Sequence, residues 1–165
     1  MTMAKPSHSM QGGLRSATVV DGRLELILNN RIAAIEEGRR PLVEFLAGQA
    51  LGDVIRHRME VVFEELVSNT IRHGFSMHSD QSIHIRVEPR PGLVEFTFED
   101  DGAPFNPLEI RPSEPFKTIE TAKIGGLGIP MVAKLSVYLR YERPQPHVNP
   151  TGFTPRNRLV LAIAT

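Results

Sequence analysis

The sequence predicts an α+β fold, a two-layer sandwich with helices on one face of a mostly antiparallel sheet. Apolar residues first recur at helical spacing, in Ile55, Met59, Val62, Phe63 and Leu66. The period then switches to two: Ile83, Ile85 and Val87 alternate with Ser82, His84 and Arg86, and Val94, Phe96 and Phe98 alternate with Glu95, Thr97 and Glu99. The turn between these runs, Pro89 to Gly92, is too short for a crossover, so the two strands must be antiparallel.

Met1 to about Ser16 is rich in small and polar residues without periodicity, and residues 1–16 are expected to form a disordered arm. Structure is expected to begin near Gly22, with Leu24, Leu26 and Leu28 as the inward face of a strand. Asn29 or Asn30 then stands where a helix cap belongs, ahead of Ile32, Ile35, Leu42, Phe45 and Leu46. Pro41 interrupts that pattern. A proline costs about 3 kcal/mol in a helix interior, so a kink or break is expected there. Gly48 and Gly52 close the segment, and Asp53 is placed as the cap of the long helix that follows.

Beyond the strand pair, Gly102 to Ile124 is proline-rich and aperiodic, a length that usually serves as a lid or binding loop. Ile129, Val132 and Leu135 then mark a short helix, and Val137, Leu139 and Tyr141 a strand. Pro144 to Arg156 is a second proline-rich loop, and Leu159, Leu161 and Ile163 mark a last strand. No repeat or linker divides residues 17–165, which read as a single domain.

Composition excludes several classes of function. The 19 basic and 19 acidic residues cancel, so no overall field favours nucleic acid or a membrane surface. Cysteine is absent, which removes disulfides, thiol nucleophiles and cysteine-bound metal. No apolar run approaches the ~18 residues needed to span a bilayer, and the start has no signal-peptide core. A cytoplasmic domain without membrane or direct nucleic-acid contacts is therefore expected.

Three stretches carry chemistry. In Glu64 to Phe75, the residues Glu65, Asn69 and His73 are spaced i, i+4, i+8 and form one polar line on a helix. Glu64, one residue out of register, turns about 100° away. Taken alone, that line is better explained as a solvated stripe than as a ligand site. Asp100 ends an apolar strand, with Gly102 two residues on. A buried carboxylate needs donors, and an exocyclic amine such as that of adenine is one. Gly102 would let the backbone turn close against a flat ligand, although a plain Asp-Gly turn has the same letters. Gly125-Gly126-Leu127-Gly128 precedes a helix, where exposed amides form a seat for phosphate, or simply a flexible loop start.

In this order, the three stretches resemble the GHKL family of ATP-binding domains, and within it the bacterial anti-sigma factor serine/threonine kinases. Glu65, Asn69 and His73 match the family's helical motif. Asp100-Asp101-Gly102-Ala103-Pro104-Phe105-Asn106-Pro107 is similar to its adenine-binding motif, and Gly125-Gly126-Leu127-Gly128-Ile129 to its phosphate loop. The resemblance runs from about Leu24 to the C-terminus and implies the Bergerat-type ATP-binding fold. It implies Glu65 as general base, Asn69 as ligand of Mg²⁺ and part of the ATP site, and His73 on the phosphate side or as a structural histidine closing the helix. It implies Asp100 and Gly102 at adenine, Asp101 pointing away into solvent, and Gly125, Gly126, Leu127 and Gly128 around the phosphates. Arg111, Lys117 or Lys123 would supply lid charge.

The sequence departs from the family pattern in Asn106, where aspartate is more usual, and in Pro130, which a first helical turn tolerates. The cofactors implied are ATP and Mg²⁺. The partners implied are a STAS-type anti-sigma factor antagonist as substrate, a sigma factor held by binding, and a second copy in a homodimer. A non-catalytic binding module of the same fold, acting by sequestration, is the alternative, and a small ATPase or switch subunit unrelated to sigma factors is a third reading.

Overall fold

The computed structural model describes residues 12–74, 80–109, 128–146, 148 and 152–165. Its strands are β1 (Leu14–Val20), β2 (Arg23–Asn29), β3 (Ser82–Arg90), β4 (Leu93–Asp100), β5 (Tyr138–Glu142) and β6 (Asn157–Ala164). Its helices are α1 (Ala33–Ala47), α2 (Asp53–Asn69) and α3 (Gly128–Leu135). The strands form one sheet in the order β1-β2-β3-β4-β6-β5. Every neighbouring pair is antiparallel.

Alternation decides which face of the sheet is buried. Leu24, Leu26 and Leu28, Ile83, Ile85 and Val87, Val94, Phe96 and Phe98, and Leu159, Leu161 and Ile163 all face the helices and are buried. From the other side of that core, α2 contributes Met59, Val62, Phe63, Leu66 and Val67, spaced i, i+3, i+4, i+7, i+8. Helix α1 adds Ala34, Leu42, Phe45 and Leu46. Gly38 lets α1 approach closely, because a methyl group there would lie 2.8 Å from the Leu28 side chain and 2.9 Å from Phe63. The opposite face of the sheet carries ion pairs, including Arg158 with Glu99 at 2.6 Å and with Glu142 at 2.9 Å. Helices on one face and charges on the other make the two layers expected.

Several local expectations are corrected. The chain is already in a strand at Leu14, inside the expected arm and ahead of the expected start near Gly22. Strand β1 lacks alternation because it is an edge strand, exposed along most of its length and placed by pairing with β2. Asp21 and Gly22, both at positive φ, form the turn between them. Asn29 is not a helix cap: it ends β2, and its amide donates to the Gly12 carbonyl at 2.6 Å. Ile32 occupies the cap position of α1 without a side-chain bond.

Pro41 neither breaks nor ends α1, which is helical from Ala33 to Ala47. Burial of Leu42, Phe45 and Leu46 on the same face as Ala34 holds the second half in line despite the lost donor. Gly52 rather than Asp53 is at the cap of α2, and Asp53 is its first helical residue, paired with Arg56.

Candidate functional site

Helix α2 does not continue regularly to Phe75. It ends at Asn69 and widens into a π-helical turn over Thr70–Gly74. The predicted polar line therefore holds from Glu65 to Asn69 and changes character before His73. Such widened turns are frequent at functional sites. Glu64 is exposed, with Arg39 3.6 Å away, as its register requires.

The π turn ends where strand β4 ends. Ala103 donates its amide to the Gly74 carbonyl at 3.1 Å, and a methyl group on Gly102 would collide with that same carbonyl oxygen. What requires glycine at 102 is thus the close approach of this chain's own backbone.

A small cleft lies between α2 and the sheet. It is lined by Asn69 and Thr70 from the helix end, Asp100 from β4, Phe105 and Pro107 from the following turn, and Tyr141 and Asn157 from β5 and β6, with Leu66, Phe98 and Leu159. The Asp100 carboxylate accepts the Gly102 amide at 2.9 Å and the Asn157 amide at 2.8 Å, both on Oδ1. Its Oδ2 has no hydrogen-bond partner among the described residues. Burial raises the Asp100 pKa to about 6, against the lowering effect of Asn157 and Gly102, and neighbouring Asp101 raises it further. At neutral pH the group is a carboxylate with Oδ1 anchored by two donors.

Asp101 points away from the cleft, as alternation demands, but it is not simply solvated. Its Oδ1 accepts the Ser82 amide at 3.0 Å, tying the ends of β3 and β4 together. Asn69 lines the same cleft and makes no side-chain hydrogen bond to another described residue. His73 is exposed, with its ring 6.5 Å from Phe105, and is not among the residues lining the cleft.

Glu65 lies one turn before Asn69, against the start of α3. A methyl group at Gly128 would overlap the Glu65 carboxylate. The helical motif, the Asp-x-Gly turn and the last glycine of the glycine-rich stretch thus meet around the C-terminal half of α2. Gly125, Gly126 and Leu127, and the lid candidates Arg111, Lys117 and Lys123, lie outside the described residues.

The donor chemistry fits a magnesium nucleotide. Asp100 offers an acceptor to an exocyclic amine, and Asn69 offers the hard oxygen that Mg²⁺ prefers beside nucleotide phosphates. Among the described residues no three His, Asp or Glu side chains cluster as a protein-only metal cage. No helix among them is long and apolar enough to cross a membrane.

The sequence reading did not single out Asn157. It is only 4% exposed and makes four hydrogen bonds: to Asp100, to the Ala103 carbonyl at 2.9 Å, from the Phe105 amide at 3.2 Å and from the Tyr141 hydroxyl at 2.6 Å. Burial raises the Tyr141 pKa, so its phenol stays protonated as the donor. A signal was available, because residue 157 continues the inward period of Leu159, Leu161 and Ile163, and a polar residue there breaks the pattern.

Fold and site together define an α+β domain of the kinase-like ATPase type. Residues 28–152 match the family described as histidine kinase-like ATPase domain, and the chain belongs to that family. No curated protein matches the sequence. Among solved structures, the chain is similar to the histidine kinase domain of the Erythrobacter litoralis EL346 blue-light activated histidine kinase, at 15% identity and a TM-score of 0.49. That match covers 80% of this chain and 59% of the length of that one.

Proposed function

We propose that this chain is an ATP-dependent serine/threonine protein kinase acting as an anti-sigma factor. In this reading it phosphorylates a STAS-type antagonist and holds a sigma factor inactive by binding, as a cytoplasmic homodimer. The observation that carries the enzymatic part is the meeting of Glu65 with Gly128, beside a cleft shared by Asn69 and Asp100. The regulatory part is supported by the sequence resemblance to the anti-sigma factor kinases.

Asp100 Oδ2 would accept the adenine amine, and Asn69 would hold Mg²⁺ through its amide oxygen, the ion supplying charge neutralisation at the phosphates when bound. Gly125, Gly126, Leu127 and Gly128 would offer backbone amides to the phosphates, with His73 as a further candidate on that side. Glu65 takes the proton from the attacking serine hydroxyl as that oxygen bonds to the γ-phosphorus. The bond to the β,γ-bridging oxygen breaks, and ADP leaves. The protein's task is to hold the nucleotide, aim the hydroxyl and receive its proton.

The test uses a STAS-type antagonist co-purified with the chain from its native cell, incubated with ATP and Mg²⁺. Wild type is expected to phosphorylate a serine of the antagonist. Glu65→Ala is expected to retain ATP while transfer falls by roughly 10²- to 10⁴-fold. Transfer by Glu65→Ala at the wild-type rate overturns the assignment of the base. ATP binding by wild type without transfer to any serine removes the kinase and leaves a binding module.

A further inference from the structure

We propose that Asn157 is the positioning residue for Asp100, anchoring one carboxylate oxygen so that the other is presented to the exocyclic amine of an adenine nucleotide. The inference rests on the reading of Asp100 as the amine acceptor and goes beyond it, because it assigns the orientation of that acceptor to a residue on a different strand.

The geometry is closed on all sides of the amide. Asn157 Nδ2 donates to Asp100 Oδ1 at 2.8 Å and to the Ala103 carbonyl at 2.9 Å. Its Oδ1 accepts from the Phe105 amide at 3.2 Å and the Tyr141 hydroxyl at 2.6 Å. Reversing the amide would set its oxygen against two acceptors and its NH₂ against the Phe105 N–H, so only one orientation satisfies the set. An apolar residue would continue the inward row of β6 without burying an amide of its own, but it would leave the Asp100, Ala103, Phe105 and Tyr141 groups without this partner. The amide is therefore out of pattern for packing and suited to holding a carboxylate.

Its bond falls on the oxygen that Gly102 already holds, which concentrates the anchoring from the described residues on Oδ1 and not on Oδ2. The same side chain fixes Ala103 and Phe105, so the turn that walls the cleft is set by the residue that sets the carboxylate. Asp101, just past the end of β4, and Tyr141 on β5 are titratable groups that interact electrostatically with Asp100. Asn69 and Thr70 face it from α2 and the π turn, and Asn157 from β6, all uncharged. A donor lost from Oδ1 favours the protonated acid, which no longer offers a plain acceptor to an amine.

The experiment follows the Asp100 carboxyl carbon by NMR titration in the nucleotide-free protein, and ATP affinity by calorimetry between pH 5.5 and 8, taken as roughly the span on either side of the carboxyl midpoint. Asn157→Leu is expected to move the Asp100 midpoint upward and to weaken ATP on the order of tenfold at neutral pH, with the acid limb of binding displaced to higher pH. Tyr141→Phe removes only the hydroxyl behind Asn157 and is expected to shift both readouts in the same direction by less. This second variant decides the matter if Asn157→Leu does not fold. An unmoved Asp100 midpoint with an unchanged pH profile of ATP binding overturns the inference. A moved midpoint in a protein whose wild type binds no adenine nucleotide overturns the proposed function instead.

Discussion

Asp100 is held in a site that costs stability when it is ionised. Burial lifts its folded pKa to about 6, while an unfolded aspartate titrates near 3.9. Between about pH 4 and 6 the folded chain therefore binds more protons than the unfolded one, and stability contributed below that window is lost as pH rises through it. Asp100→Asn keeps the shape and removes the charge. Thermal melts of the nucleotide-free protein are expected to show this variant more stable at pH 7, with the decline between pH 4 and 6 flattened. Equal melting curves for the two proteins would contradict the burial of a charged carboxylate.

In the sequence, Asp100 was visible as a carboxylate closing an apolar strand, and Glu65 as one of two adjacent glutamates distinguished by register. Asn157 was not recognised, because its partners Asp100, Ala103, Phe105 and Tyr141 are distant in sequence and only the sheet order β4-β6-β5 brings them together. Gly102 was legible as a point of close approach, and the fold supplies one such neighbour in its own backbone. Sequence shows that a close approach is permitted there, and the π turn decides that the close neighbour is Gly74.

The elements were legible where burial imposes a period. Strands β2, β3, β4 and β6 and helix α2 each carry an apolar face that alternation or i, i+3, i+4 spacing reveals. Strand β1 has no such face and is placed by its pairing with β2 across the Asp21-Gly22 turn. The end of α2 was misjudged because nothing in Thr70-Ile71-Arg72-His73-Gly74 announces a π turn.

The glycines at two element ends give contrasting expectations. At Gly128 an added methyl meets the end of the flexible Glu65 side chain, which can swing aside. Gly128→Ala should therefore fold with stability changed by less than ~1 kcal/mol, yet lose phosphoryl transfer as the base is displaced. At Gly102 the added methyl meets backbone, and Gly102→Ala should cost about 1–3 kcal/mol in denaturant unfolding. Equal effects of the two substitutions on stability would show that the ends of α2 and α3 are not arranged as described.

Across the whole molecule, one helix organises the site. Its apolar face is locked to the sheet by Met59, Val62, Phe63 and Leu66, and its far end reaches the ends of β4 and α3. Rigid packing behind the site and polar groups in front of it are what a nucleotide pocket needs. The opposite face of the sheet, with its Arg and Glu pairs, takes no part in that arrangement.

The most direct measurement is calorimetric titration of the full chain with ATP and Mg²⁺, for wild type and for Asp100→Asn, a variant expected to be the more stable of the two without ligand. Saturable binding by wild type that Asp100→Asn loses is the predicted result. Equal affinity in the two proteins, or no binding by wild type, would contradict the assignment of this cleft as the adenine site.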